Sequence, residues 1–170
     1  MLLNEFYDTI YPNTGFSTIR KTARAFVKND TGDIALIHIK AEDIFGPRDH
    51  FESPGGGIEF GESREDAIKR EVSEELGYNC EIECYVGSII NRYNLLEVIT
   101  VHHYFICNLK EKTSVKLTDA EVIFFEGIEW KSIDEWIEIL SKPLEGVNQL
   151  VHDRELFMLN QYKMLRDSME

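Results

Sequence analysis

The sequence lacks the features that would place the chain in a membrane or on a nucleic acid. No apolar run approaches the roughly 20 residues that a membrane-spanning helix needs. Glu5 and Asp8 stand in the N-terminal stretch where a signal peptide would carry positive charge. The formal net charge of -13 disfavours a surface that binds the phosphates of DNA or RNA. We therefore expect a cytoplasmic protein without a membrane or nucleic-acid partner.

Cysteine is also scarce, with only Cys80, Cys84 and Cys107 in the chain. Three cysteines cannot all pair, and the sequence offers no second pair to complete four zinc ligands with Cys80 and Cys84. Since free cysteines are usually buried, we expect three reduced and buried thiols. A chain of this length can bury a sufficient core without them, which predicts one domain over residues 1–170.

Segments of strand and helix character follow one another along the chain without an internal repeat. Alternating and β-branched residues predict strands at 21–29, 33–40, 80–93, 98–109 and 124–132. Amphipathic spacing predicts helices at 64–76, 132–141 and 147–166. Segments 41–50 and 109–121 read as loops because they are polar or contain Gly and Pro. The pattern indicates a mixed α and β domain with strands on both sides of a central helix.

The central helix gathers carboxylates on one face. Glu71, Glu74 and Glu75 fall within about one third of its circumference, because each residue turns the helix by about 100°. Like charges at this spacing repel one another, and a divalent cation removes the conflict. Oxygen ligands without a nearby His or Cys suit Mg²⁺ or Mn²⁺. The alternative to a metal site is that these glutamates form a solvated acidic face of the helix.

A glycine-rich turn precedes this helix and favours the metal-binding interpretation. Gly55, Gly56 and Gly57 allow the backbone to turn sharply and to approach a ligand closely. A carbonyl group of the turn could join the carboxylates as a ligand. Glu62 could pair with Arg70 or bind the metal through water.

The spacing of these residues resembles the signature of the Nudix hydrolases, G-x5-E-x7-R-E-U-x-E-E-x-G-U with U an apolar residue. The chain has Gly56, then Glu62, then the run Arg70 to Tyr78 at the required separations. All fixed positions of this box, residues 56–78, match, and only Tyr78 departs slightly from the apolar class. The resemblance implies an α/β/α sandwich with a mixed, partly antiparallel sheet between helices.

The resemblance also implies a role for each matched residue, in a MutT-like enzyme that cleaves pyrophosphate linkages with bound Mg²⁺ or Mn²⁺. Glu71 and Glu75 would be the main metal ligands, and Glu74 and Glu62 would be further ones. The carbonyl of Gly55 or Gly56 would complete the ligand shell. Arg70 would hold the catalytic glutamates by ion pairing.

The identity of the general base stays open on the sequence. In some members of the family it is a glutamate of the box, here Glu71 or Glu74. In others it is an acid on a late loop, where this chain offers Asp119, Glu121 and Glu126. We favour Glu121, because it lies on the polar segment just before a strand.

Three residues outside the box are candidates for substrate binding. Arg48 precedes the box on a loop, Tyr93 lies where some relatives stack a tyrosine on a base, and Arg24 belongs to a basic cluster in the first strand. Surface charge and ordinary strand packing are the alternatives for these residues. His102 and His103 point to opposite faces of a strand, and we expect a structural role for them.

The expected substrate is a nucleotide-derived small molecule, a nucleoside diphosphate linked to another group. A nucleoside triphosphate is favoured over a nucleotide sugar, such as an ADP-ribose-like compound, or a dinucleoside polyphosphate. A Nudix-fold binding or regulatory module without turnover is the alternative from another class. The resemblance alone leads us to expect a homodimer.

Overall fold

The computed structural model describes residues 1–168. Within these residues, eight strands form one sheet, and four α-helices accompany it. The strands are β1 (Leu2–Tyr7), β2 (Thr18–Lys28), β3 (Ile34–Asp43), β4 (Gly46–Glu52), β5 (Gly55–Gly57), β6 (Tyr78–Tyr93), β7 (Val98–Lys112) and β8 (Phe125–Lys131). The helices are α1 (Arg64–Leu76), α2 (Asp119–Phe124), α3 (Ile133–Leu140) and α4 (Val147–Asp167).

The sheet is mixed, and its main path runs β1-β6-β7-β2-β3-β4. β5 pairs with β2, and β8 pairs with β3. The pairs β1–β6 and β2–β7 are parallel, whereas the others are antiparallel. The predicted mixed, partly antiparallel sheet is confirmed.

Alternation along the strands divides the core into two layers. In β2, Ala23 and Ala25 face α1, whereas Phe26 faces the side of α3 and α4. The same alternation in β7 sends Phe105 to the first layer and Ile106 to the second. Helices therefore cover both faces of the sheet, as expected for an α/β/α sandwich.

Most predicted elements are present. Two segments that were predicted as loops instead contain strands or a helix. β3 continues to Asp43 and pairs with β4 from Gly46 onward, so segment 41–50 forms a hairpin. Gly46 makes this turn possible with a φ of 86°. Segment 109–121 contains the end of β7 and the start of α2. β1, which the sequence reasoning missed, forms an edge strand beside β6.

A smaller prediction about the cysteines also needs correction. Cys107 is buried, but Cys84 is exposed and Cys80 is partly exposed, so the expectation of three buried thiols was wrong. The three cysteines are free, as expected. In the part of the chain that the structure describes, no helix combines the length and the apolar character that crossing a bilayer requires.

Candidate metal centre

Local signals at both ends fix the position of α1. The Ser63 side chain caps its first turn by accepting a hydrogen bond from the Asp66 backbone N–H, and Gly77 ends it in the left-handed conformation. Ile68 and Val72 on one stripe are buried against the sheet. This docking leaves Glu71 and Glu75 at the border between the core and the glycine turn of β5. The prediction of a helix over 64–76 is confirmed.

Three carboxylates converge at this border. One oxygen atom from each of Glu71, Glu75 and Glu121 lies within 4.8 Å of the others. Glu71 is buried, and the other two are half-buried. Burial raises the pKa of Glu71 and raises that of Glu75 well above its ordinary value, and the charge of Glu71 adds to the effect on Glu75. We call this group the carboxylate trio.

Arg70 connects the trio to the rest of the box. Its guanidinium donates hydrogen bonds to Glu62 at 2.9 Å, to Glu71 at 2.7 Å and to Glu74 at 3.2 Å. It also donates to the Gly57 carbonyl oxygen at 3.0 Å. These contacts are those expected of a residue that holds the glutamates in place. The same arginine lowers the pKa of Glu62.

Glu74 and Glu62 lie outside the trio. Both carboxylates bond Arg70, and Glu62 also accepts a hydrogen bond of 3.0 Å from the Glu59 backbone N–H. The sequence reasoning treated Glu71, Glu74 and Glu75 as one helix-face cluster. The structure instead brings Glu121 to Glu71 and Glu75.

The glycine turn lies directly against the trio. The Gly55 backbone N–H donates a hydrogen bond of 2.7 Å to Glu75. Gly55 has a φ of 147°, and a Cβ atom there would come within 2.2 Å of the Ala23 carbonyl oxygen. A Cβ atom at Gly56 would lie 2.5 Å from a carboxylate oxygen of Glu71. Glycine is thus required at Gly55 by close approach to the backbone, whereas a side chain at Gly56 would displace the Glu71 carboxylate.

Glu121 reaches the trio from α2, and not from the loop that the sequence predicted. Its Oε2 atom accepts hydrogen bonds from the Thr118 backbone N–H at 2.7 Å and from the Thr118 hydroxyl at 2.8 Å. Together with the reverse bond from the Glu121 N–H, these contacts form a capping box. The spacing Thr-x-x-Glu could have revealed the start of this helix.

Comparison with known proteins decides the family. The model of the NUDIX domain matches residues 18–151. The chain belongs to the Nudix family. The resemblance found in the spacing of the box is thereby confirmed, and the carboxylate trio lies within the matched range.

Solved structures of Nudix proteins share the fold. A NUDIX hydrolase from Nitrosomonas europaea is 22% identical, with 85% of this chain and 88% of that chain covered and a TM-score of 0.65. The MutT protein from Methanosarcina mazei Go1 is 15% identical, with 89% and 99% covered and a TM-score of 0.62. At these identities the likeness shows the fold alone.

A curated Nudix hydrolase from Caenorhabditis elegans is 33% identical over 64 residues. The match covers 38% of this chain and 18% of that protein. The chain therefore spans less than a fifth of that relative's length.

The trio fits the divalent cation that Nudix hydrolases generally use. It offers three carboxylate oxygens, which are the hard donors that Mg²⁺ and Mn²⁺ prefer. The raised pKa of Glu75 shows that the bare site tolerates its own negative charge poorly. A cation would offset the charge that this buried site disfavours, so Glu71 and Glu75 are the residues that would hold it, with Glu121 beside them.

A cavity of about 300 Å³ lies on the α4 face of the sheet of this Nudix protein. All three predicted substrate-binding residues, Arg24, Arg48 and Tyr93, line it. Arg48 also pairs with Asp43 at 2.9 Å, and the Tyr93 hydroxyl accepts a hydrogen bond of 3.1 Å from Arg154. Tyr93 is therefore part of a polar wall.

Buried charges build this wall. Arg24 at 3.3 Å and Arg154 at 2.8 Å both pair with one oxygen of Glu52, and Arg154 also pairs with the fully buried Glu155. Burial opposes the ionisation of Glu52, yet the two arginines lower its pKa to about 2. Sequence reasoning missed Glu52, Arg154 and Glu155, since residues so far apart in the chain give no local signal.

Proposed function

We propose that the protein is a Mg²⁺- or Mn²⁺-dependent pyrophosphohydrolase that acts on a nucleoside diphosphate derivative. The observation that carries the proposal is the carboxylate trio, in which Glu71, Glu75 and Glu121 bring one oxygen each within 4.8 Å. A non-catalytic binding module has no need for such a concentration of buried negative charge beside a glycine turn. Membership of the Nudix family supports the same assignment.

The residues of the site would divide the work in the following way. Glu71 and Glu75 hold the metal, Glu121 lies beside them, and the Gly55 N–H orients Glu75. Arg70 positions Glu71 through its hydrogen bond of 2.7 Å. When bound, the cation neutralises phosphate charge and lowers the pKa of a water ligand.

The reaction itself is a displacement at phosphorus. The oxygen of water forms a bond to one phosphorus atom of the pyrophosphate, and the bridging P–O bond breaks. A carboxylate accepts the proton of the water, and the leaving phosphate departs with the electron pair of the broken bond. Such displacements depend mostly on positioning and charge stabilisation. We propose Glu121 as the base, with Glu71 and Glu74 as alternatives.

A nucleoside triphosphate is the proposed substrate, ahead of a nucleotide sugar or a dinucleoside polyphosphate. The cavity lined by Arg24, Arg48 and Tyr93 has the size for a nucleoside-scale group. A cytoplasmic location and a homodimer stay predictions of the sequence and of the resemblance.

A hydrolysis screen tests the proposal directly. The purified protein is incubated with nucleoside triphosphates, nucleotide sugars and dinucleoside polyphosphates, with Mg²⁺ and Mn²⁺ compared against metal-free buffer. We expect metal-dependent release of a nucleoside monophosphate or of phosphate from at least one class. Binding of a nucleotide without turnover at saturating metal and alkaline pH would refute catalysis and support the binding module.

A further inference from the structure

The glycine turn beside the carboxylate trio takes its position from β2. Gly55 pairs with Arg24 in the antiparallel ladder between β5 and β2. One residue further along, the Ala25 N–H donates a hydrogen bond of 3.0 Å to the Pro54 carbonyl oxygen. Glycine has little conformational preference of its own. The shape of this turn is therefore set by the contacts that surround it.

The side chain of Arg24 adds two contacts to those of the backbone. Its Nη1 atom donates a hydrogen bond of 2.7 Å to the Ser53 carbonyl oxygen, and its Nη2 atom lies 3.3 Å from a carboxylate oxygen of Glu52. The guanidinium thus joins the two residues that come two and three positions before Gly55. Ser53 is only 1% exposed, so water cannot readily replace the arginine as a partner of its carbonyl group.

The stem of Arg24 also packs directly against Gly55. A Cβ atom at Gly55 would come within 2.7 Å of the Arg24 Cα atom and 2.8 Å of its Cγ atom. Arg24 is itself buried, at 8% exposure. Since protein interiors are close-packed and transmit strain, a change in the Arg24 side chain is felt at Gly55.

The position of Gly55 in turn decides the orientation of Glu75. The Gly55 N–H donates a hydrogen bond of 2.7 Å to the Oε2 atom of Glu75. Among the residues that the structure describes, no other group donates a hydrogen bond to this carboxylate. The direction of one backbone N–H therefore controls how Glu75 faces the rest of the trio.

We propose that Arg24 is a positioning residue of the metal centre, which holds the segment 53–55 so that the Gly55 N–H points at Glu75. It acts through the turn, because its guanidinium bonds Ser53 and Glu52 and no member of the trio. This role differs from the substrate contact that the sequence suggests for Arg24. The inference rests on the proposed function, because it takes Glu75 as a metal ligand, and its test therefore measures metal binding without turnover.

Arg24→Met is the informative substitution. Methionine keeps an unbranched stem against Gly55 and removes both guanidinium contacts. Glu52 retains its ion pair with Arg154 at 2.8 Å, so the substitution leaves no buried carboxylate unpaired. The Kd of Mn²⁺ is measured without substrate, by electron paramagnetic resonance of the free ion. We expect the Kd to rise about tenfold or more, as is typical when a group that orients a metal ligand is lost.

Amide hydrogen exchange of the metal-free protein, followed by NMR, reports on the turn itself. In Arg24→Met the Gly55 N–H should exchange about tenfold or more faster, because the segment that holds it on Glu75 opens more readily. The Ile58 N–H, which donates to the Lys21 carbonyl oxygen at 3.0 Å, should keep its exchange rate. Unchanged exchange at Gly55 would overturn the inference, since Arg24 would then act by its charge alone.

Arg92→Met is the matched control for a loss of stability. Arg92 belongs to the same sheet, pairs with Glu5 at 2.9 Å and lies over the Tyr7 ring. Its substitution is expected to lower the thermal midpoint and to leave the Kd of Mn²⁺ within about twofold. Equal weakening of Mn²⁺ binding in Arg92→Met and Arg24→Met would show a general loosening of the fold and would overturn the inference.

Arg24→Lys keeps the test decisive if Arg24→Met does not fold. Lysine retains the positive charge beside Glu52 and lacks the planar fork that joins Glu52 to the Ser53 carbonyl group. We expect this variant to fold and to bind Mn²⁺ about fivefold or more weakly than the unmodified protein. An unchanged Kd in a folded Arg24→Lys would overturn the inference, because charge alone would then suffice.

The two proposals fail separately. If the unmodified protein hydrolyses no compound while Arg24→Met weakens Mn²⁺ binding and frees the Gly55 N–H, the proposed function falls and the positioning role stands. If hydrolysis occurs but Arg24→Met binds Mn²⁺ like the unmodified protein, the positioning role falls and the proposed function stands.

Discussion

Gly56 and the Glu71 carboxylate are so close that no side chain fits between them. A Cβ atom at Gly56 would lie 2.5 Å from one carboxylate oxygen of Glu71 and 2.8 Å from the other. Real Cβ atoms do not approach oxygen this closely, so Gly56→Ala must displace the carboxylate or the β5 backbone. We expect a loss of about tenfold or more in apparent Mg²⁺ affinity, measured by hydrolysis across a metal titration.

Gly57→Ala is the matched control for this substitution. A Cβ atom there would meet Arg20 at 3.6 Å, which is an ordinary contact. The Gly57 carbonyl that accepts from Arg70 is a backbone group and survives the change. The control is expected to bind Mg²⁺ within about twofold of the unmodified protein. Equal effects in both variants would contradict the role assigned to the Gly56–Glu71 contact.

Glu75→Gln should separate activity from stability. Burial raises the pKa of Glu75, and the charge of Glu71 adds to the effect, so an ionised Glu75 destabilises the metal-free fold at neutral and alkaline pH. Glutamine removes that charge and can still accept the Gly55 N–H. We expect the metal-free variant to gain about 1 kcal/mol or more in urea unfolding at pH 8, while turnover falls by about a thousandfold or more.

The matched control for Glu75→Gln is Glu65→Gln on the first turn of the same helix. Glu65 is half-exposed, pairs with Arg64 and lies outside the carboxylate trio. The substitution Glu65→Gln is expected to leave turnover nearly unchanged. Near-normal turnover of Glu75→Gln at saturating Mg²⁺ would refute the assignment of Glu75 as a metal ligand.

Glu121 combines a place in the trio with a capping role, and substitutions can separate the two. Glutamine is also accepted at this position of a capping box, so Glu121→Gln removes the charge and keeps α2 capped. Thr118→Ala removes the side-chain cap and keeps the carboxylate. We expect Glu121→Gln to reduce kcat by about a hundredfold or more and Thr118→Ala to reduce it far less, in steady-state assays at saturating Mg²⁺. Similar losses in the two variants would show that Glu121 acts only through the helix.

The sequence was a good guide wherever the information is local. Seven spaced identities predicted the family, and Gly77 correctly marked the end of α1. Arg70 forms the ion pairs expected of it because all its partners lie on or next to the same helix. Such contacts depend on helix geometry and short turns, which the order of residues specifies directly.

The sequence was a poor guide wherever contacts join distant segments. Helix periodicity grouped Glu74 with Glu71 and Glu75, but Glu121 takes the third place in the trio because α2 returns to the sheet. Arg154 lies about 100 residues from Glu52, and only the docking of α4 on β4 brings them together. The edge strand β1 was missed because its burial is partial and it lacks clear alternation.

His152 is expected to make the stability of the fold depend on pH between neutrality and mild acid. Its Nε2 atom accepts a hydrogen bond of 3.0 Å from the Phe51 N–H, so a proton there would set two donors against each other. Burial, together with the nearby His50, lowers the pKa of His152 to about 4 from an ordinary value of 6.5. Burial also lowers the pKa of His50.

The sign of the effect follows from proton uptake. Between about pH 6.5 and pH 4 the unfolded chain binds a proton on His152 that the folded protein does not, so acid favours unfolding. From pH 7 to pH 5, His152 alone should cost about 2 kcal/mol in the free energy of urea unfolding. In His152→Gln, whose amide oxygen can still accept the Phe51 N–H, this loss should shrink by a similar amount. The control His38→Gln alters a histidine that pairs with Asp49 on the surface. An unchanged pH dependence in His152→Gln would show that this buried ring is not the group responsible.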